Sequence, residues 1–191
     1  MELTAEERAQ LLRIARAAIE SRLKNQPLPQ FGDLSNRLRE KQGAFVTLHK
    51  HGTLRGCIGY IEPVSPLYLA VADMAQAAAF EDPRFPPLTE EELPEVDIEI
   101  SVLSPTREIR NLEEIKVGEH GLIVQQGMRK GLLLPQVATE YNWDRTTFLR
   151  HTCMKAGLPP EAYKDKHTTI KVFTAEVFGE KEQRIRGSSD R

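Results

Sequence analysis

The sequence predicts one domain in which helices and strands are mixed, and three observations carry that prediction. Residues 44–48 and 54–59 are two β-type runs on either side of His51-Gly52, a composition suited to a hairpin turn. Val96, Ile98, Ile100 and Val102 alternate with Asp97, Glu99, Ser101 and Leu103, the period of a strand with one buried face. Leu11, Leu12, Ala15, Ala18, Ile19 and Leu23 recur at three and four residues, the period of a helix that lies on something apolar. With 191 residues, 40% of them hydrophobic, the chain can bury one sizeable core and divide it into lobes, but it is short for two independent domains.

Each element has a local reason. Thr4-Ala5-Glu6-Glu7 is a capping box that opens a helix running to about Lys24, and Asn25-Gln26-Pro27-Leu28-Pro29 closes it, because a residue before proline is pushed out of the α region. Asp33 is placed to cap a short helix over 34–40. The hairpin ends where Pro63 and Pro66 remove ladder donors, and Ser65-Pro66 then starts a helix to Phe80 that is rich enough in alanine to approach a sheet closely. Asp82-Pro83-Arg84-Phe85-Pro86-Pro87 reads as a stiff extended linker, and Thr89 to Glu92 repeats the capping-box pattern. After the strand over 96–103 come a weak helix near 112–115, a strand over 122–125, a turn flanked by Gly127 and Gly131, and a buried strand over 132–134 halted by Pro135. Asp144 caps a helix through Lys155 whose inward residues are Phe148, Leu149 and Met154, with Gly157 as its stop. The last strand, 170–177, is expected at or near an edge, and the polar residues 179–191 form a frayed tail beyond a domain ending at 178.

Composition narrows the function. The net charge is −2, with 26 basic against 28 acidic residues, so no electrostatic footprint for nucleic acid or an anionic membrane surface is visible. The first residues lack a basic run followed by an apolar one, and the most apolar later segment is interrupted at Asp73 and Gln76, which predicts a soluble, unexported protein. Two cysteines far apart do not make a disulfide framework and fit reduced thiols in the cytoplasm. Phosphate-loop, dinucleotide, zinc-protease and serine-hydrolase signatures are absent, no cofactor is implied, and His49 with His51 lacks the further ligands a metal site needs.

One stretch stands out. In Leu54-Arg55-Gly56-Cys57-Ile58-Gly59 a cysteine sits between two glycines, which weaken a strand and mark a close approach to its backbone. Strict alternation puts Arg55, Cys57 and Gly59 on one face and Leu54, Gly56 and Ile58 on the other, so guanidinium and thiol look the same way.

This hexapeptide resembles the hallmark of the AMMECR-type domain family. Arg84-Phe85-Pro86-Pro87-Leu88, Ile98-Glu99-Ile100-Ser101-Val102-Leu103, Gly118-Glu119-His120-Gly121-Leu122, Leu133-Leu134-Pro135-Gln136-Val137 and Cys153-Met154-Lys155-Ala156-Gly157-Leu158 resemble the family's other blocks in the same order, so the resemblance covers roughly 11–178. It implies an α+β fold, a mainly antiparallel sheet flanked by helices in two lobes with a cleft between them. It also implies an association with a Memo-like protein and a radical-SAM protein, the AmmeMemoRadiSam system, and no settled reaction.

Two readings of the site stand side by side. In one, Cys57 is a nucleophile, His120 its base, and Arg55, Gly56, Gly59, Arg84, Glu99 and Gln136 line a cleft for a small anionic molecule or a protein group. In the other, Cys57 is a small packed residue, Arg55 pairs with a carboxylate such as Glu99, and the protein is a non-catalytic module that binds partners. His151 and Cys153 are read as structural, and Trp143, which with Tyr141 could form a recognition surface, is read as core. RNA binding is disfavoured by the charge balance.

Overall fold

In the computed structural model, which describes residues 2–181, the chain divides into two units: residues up to Val102 with those from Glu176 onward, and Leu103 to Ala175. Both combine antiparallel strands with helices, the α+β arrangement the elements predict.

The first unit begins with α1 (Ala5–Leu23). Its capping box forms as expected: Thr4 Oγ1 accepts from Glu7 N at 3.2 Å and Glu7 Oε2 accepts from Thr4 N at 2.8 Å. The short α2 (Asn36–Arg39) is capped by Ser35, not Asp33, which sits instead in a left-handed conformation at φ 48°. Strands β1 (Ala44–Lys50) and β2 (Thr53–Tyr60) form the hairpin, with β3 (Val96–Leu103) antiparallel on the other side of β1. Ala44, Val46 and Leu48 on β1 and Val96, Ile98, Ile100 and Val102 on β3 are buried together with α1 and with α3 (Leu67–Phe80). Burying that alternate set leaves Phe45, Thr47, Asp97 and Glu99 on the other, half-open face. The α3 helix starts one residue later than expected, with Pro66 at the cap position, while Ser65 hydrogen-bonds the Tyr60 hydroxyl. Its alanines let the backbone press on β2, and the Gln76 side chain donates to Ala18 O of α1 at 2.9 Å.

The last described residues are tied into this unit. Glu180 accepts from Arg16 Nε at 2.7 Å, Arg16 Nη2 at 2.6 Å and Ile98 N at 3.0 Å, and Lys181 Nζ lies 3.2 Å from Asp97. Fraying from 179 is therefore not observed at Glu180 and Lys181, and the rest of the expected tail, 182–191, lies outside the described residues.

The second unit is built on β7 (Thr169–Gly179), which has β4 (Arg107–Ile109) on one side and β5 (His120–Gln126) on the other, with β6 (Arg129–Leu133) beyond β5. The expectation of an edge position for the last strand is thus corrected: Val172 pairs with both Arg107 and Leu122. The cause is β4, too short and polar to show strand alternation in the sequence. Gly131 lies inside β6 rather than beside the turn, and Leu134 leads into α4 (Pro135–Glu140), a helix the proline disguises as a strand stop. The α5 helix (Arg145–Lys155) is capped by Asp144, whose Oδ1 accepts from Thr147 N at 2.7 Å. It ends in a Schellman turn: Gly157 adopts φ 71°, with Leu158 N on Cys153 O and Gly157 N on Met154 O, both at 2.9 Å. Met154 is exposed rather than inward, and Phe148, Leu149, Thr152 and Cys153 face the core. Among the described residues no helix is long and apolar enough to cross a membrane.

Candidate functional site

The hairpin holds one feature that the sequence hides. From the turn, Lys50 pairs with Thr53 and His49 with Leu54, but Leu48 then pairs with Gly56, leaving Arg55 as an extra residue in a β-bulge. The bulge breaks the alternation on which the face assignment rested: Leu54 lies opposite His49, while Gly56, opposite Leu48, faces the core. It also shifts Cys57 onto Thr47, which an unbroken ladder would have paired with Gly56. Thr47 Oγ1 donates to Cys57 Sγ at 3.2 Å, on the half-open face.

The two glycines serve different neighbours. A Cβ on Gly56 would lie 2.1 Å from Ala78 O, so α3 rests directly on the strand backbone. A Cβ on Gly59 would lie 2.3 Å from the Phe45 ring, which covers that residue from the opposite face. Cys57 is thus held between a helix below its predecessor and an aromatic ring two residues on.

The outer edge of β2 is clipped by residues 82–84. Asp82 Oδ2 accepts from Cys57 N at 2.9 Å, and Arg84 Nη2 donates to Cys57 O at 3.4 Å, so both backbone groups of Cys57 that a further strand would use are occupied. The clip is closed on itself: Asp82 Oδ1 accepts from Arg84 N at 3.1 Å and Nε at 2.9 Å, and Oδ2 from Nη2 at 2.7 Å. The Arg84 guanidinium and the backbone donors hold the Asp82 carboxyl far below the usual carboxylate range, against the opposing effect of its own burial. Asp82 faces inward, while the Arg84 side chain is 55% exposed, so this pair turns its cation to solvent.

Arg55 is only 8% exposed and forks onto Glu92, with Nε at 3.2 Å from Oε1 and Nη2 at 2.9 Å from Oε2. The carboxylate that pairs with Arg55 is Glu92 and not Glu99, which lies on β3 opposite Thr47. Glu92 also accepts from Thr89 N at 3.2 Å, half of the capping box the sequence indicated, and meets Lys50 Nζ at 3.2 Å. Its carboxyl is lowered to about 2, chiefly by Arg55. Arg55 Nη1 is buried and has no hydrogen-bond partner among the described residues. Both guanidiniums lie over the Phe85 ring, that of Arg55 5.9 Å and that of Arg84 5.5 Å from its centroid.

The structure therefore gathers Arg55, Gly56, Cys57, Gly59 and Arg84 in the first unit. Glu99 belongs to the same sheet, two strand spacings or about 10 Å from Cys57. His120 and Gln136 belong to the second unit and take local partners: His120 Nδ1 accepts from Lys116 N at 3.3 Å, and Gln136 O accepts from Thr139 Oγ1 at 2.8 Å. Thr47, Asp82 and Glu92 were not legible as site residues. Asp82 and Glu92 left traces in the proline-rich and capping-box patterns, while the bulge erased the signal for Thr47. Trp143 is half-buried against the second unit's core and stacks 5.1 Å from Tyr141 and 4.0 Å from His151, with Tyr141 66% exposed. Among the described residues no three His, Cys, Asp or Glu side chains are grouped so as to hold a metal ion.

Known proteins share this architecture. A protein of Methanothermobacter thermautotrophicus is 50% identical over 187 residues, covering 93% of this chain and 96% of its own. One from Methanopyrus kandleri is 47% identical over 189 residues, covering 94% and 91%. The crystal structure of an uncharacterised protein from Pyrococcus horikoshii superposes with a TM-score of 0.88 at 43% identity, over 94% of both chains. Residues 12–178 match the AMMECR1 family model, and with that span and those relatives the chain belongs to the AMMECR1 family.

Proposed function

We propose that this protein is a thiol-dependent enzyme or enzyme subunit in which Cys57 meets a small anionic molecule or a group on another protein. The observation that supports this reading is the setting of the sulfur: half-exposed, facing the Thr47 hydroxyl donor, on a backbone fixed by Asp82 and Arg84. The thiolate is the nucleophilic form of cysteine, and a hydroxyl hydrogen aimed at sulfur is placed to hold the charge of that form while solvent takes the proton.

Iodoacetamide labelling of the folded protein, read by peptide mass, tests the reading. Cys57 is expected to label while buried Cys153 waits for unfolding, and Thr47→Val is expected to slow Cys57 by about two- to tenfold, the worth of one hydrogen bond. Labelling of Cys57 no faster than Cys153 would overturn it.

A second reading, a non-catalytic module that docks on Memo-like and radical-SAM partners, is favoured by the Tyr141–Trp143–His151 stack, of which Tyr141 is exposed, since aromatic anchors of this kind concentrate binding energy. Under it, Trp143→Ala abolishes capture of those partners and Cys57→Ala does not.

A further inference from the structure

Two guanidiniums belong to this region, Arg55 two residues before Cys57 in sequence and Arg84 bonded to the Cys57 carbonyl, and each spends its fork the same way. Arg55 gives Nε and Nη2 to Glu92, and Arg84 gives Nε and Nη2 to Asp82. Each keeps an Nη1 that bonds nothing among the described residues. Arg84 is more than half exposed and anchored to Cys57 O; on Arg55, nine-tenths buried, that donor is a buried orphan. Buried guanidinium nitrogens are rarely left unpaired, because the desolvation of a charged donor is then uncompensated. Both guanidiniums lie over the Phe85 ring, which makes that ring their common neighbour.

Each guanidinium is matched by its own carboxylate, yet neither carboxylate bonds the free Nη1. Asp82 is buried beneath Arg84, Glu92 is turned toward Arg55 and Lys50, and Glu99 lies two strands away. What the Cys57 neighbourhood offers a ligand is planar cationic donors, the match for a carboxylate.

Resting on the thiol reading above, we propose that the small molecule brought to Cys57 carries a carboxylate. Arg84 Nη1 takes the carboxylate first, and the buried Arg55 Nη1 takes its second oxygen once the Phe85 ring turns aside. Glu92 and Asp82 keep the two forks aimed.

The test compares two alkylating probes of nearly the same shape, anionic iodoacetate and neutral iodoacetamide. With each, the Cys57 sulfur displaces iodide from the reagent's methylene carbon. The ratio of iodoacetate to iodoacetamide rates at Cys57, divided by the same ratio for N-acetylcysteine, is expected to exceed one by about three- to fivefold, the scale of a half-exposed ion pair. Arg84→Gln is expected to return that quotient toward one, and Phe85→Leu to raise it. On the unaltered protein, inorganic phosphate is expected to slow iodoacetate more than added chloride of equal ionic strength does. A quotient of one with no phosphate effect overturns the carboxylate assignment while leaving the thiol reading intact. Failure of iodoacetamide itself to label Cys57 overturns the thiol reading. A raised quotient that Arg84→Gln leaves unchanged removes Arg84 from the assignment.

Discussion

The two units solve the same packing problem with the same two devices and differ in what they leave open. In the first, α3 sits on Gly56 and the Phe45 ring on Gly59; in the second, the end of α5 sits on Gly131, where a Cβ would lie 2.3 Å from Ala156 N, and the Phe173 ring covers Gly121. Each unit also carries one cysteine. Cys153 is fully buried on α5, and burial pushes its thiol up, whereas Cys57 is half-exposed with a hydroxyl donor on its sulfur. Glycine beneath a helix is therefore a packing device in both units. Only where a bulge brings a thiol beside it does the device frame a site.

The largest expected effect treats the two units alike. Gly56→Val and Gly131→Val each drive a side chain into helix backbone that cannot retreat, so both are expected to lose more than about 3 kcal/mol, checked by chemical denaturation. Near-wild-type stability for either variant would end the equivalence.

The ring-on-glycine device should prove unequal. Phe173 is buried in full, and Phe173→Ala is expected to cost about 3–5 kcal/mol, while half-buried Phe45→Ala is expected to cost less than half of that. Equal losses would mean that Phe45 is covered in solution.

Acid should find the first unit first. Glu92, lowered to about 2 from an ordinary 4.5, contributes stability that is complete above about pH 4.5 and is lost as pH falls through about 2. Asp82, lowered further, acts in the same direction. Glu92→Gln is expected to cost about 2 kcal/mol or more at pH 7 and to flatten the fall in stability below pH 4.5. Hydrogen exchange at pH 3 would show whether β2 opens before β5. The smallest effect is reserved for the exposed stack: Tyr141→Ala is expected to change stability by less than about 0.5 kcal/mol, read by thermal melting, and a larger loss would make the stack structural.

Much of this was written locally. Thr4 and Glu7 cap α1 through neighbours three residues apart, Asp144 and Gly157 bound α5, and the alternation over 96–103 gives β3 its buried face, because each needs only residues close in sequence. The glycine spacing in 54–59 likewise announced a close approach without naming what approaches. What covers each glycine, the placement of β7 between two strands, and the choice of Glu92 over Glu99 for Arg55 depend on elements tens of residues apart, and no local pattern encodes them. The bulge at Arg55 is the sharpest case. A single unpaired residue moves Cys57 from opposite Val46 in the plain count to opposite Thr47, so the hydroxyl on the sulfur exists only because tertiary packing against α3 and the clip at Asp82 fix the strand in that register.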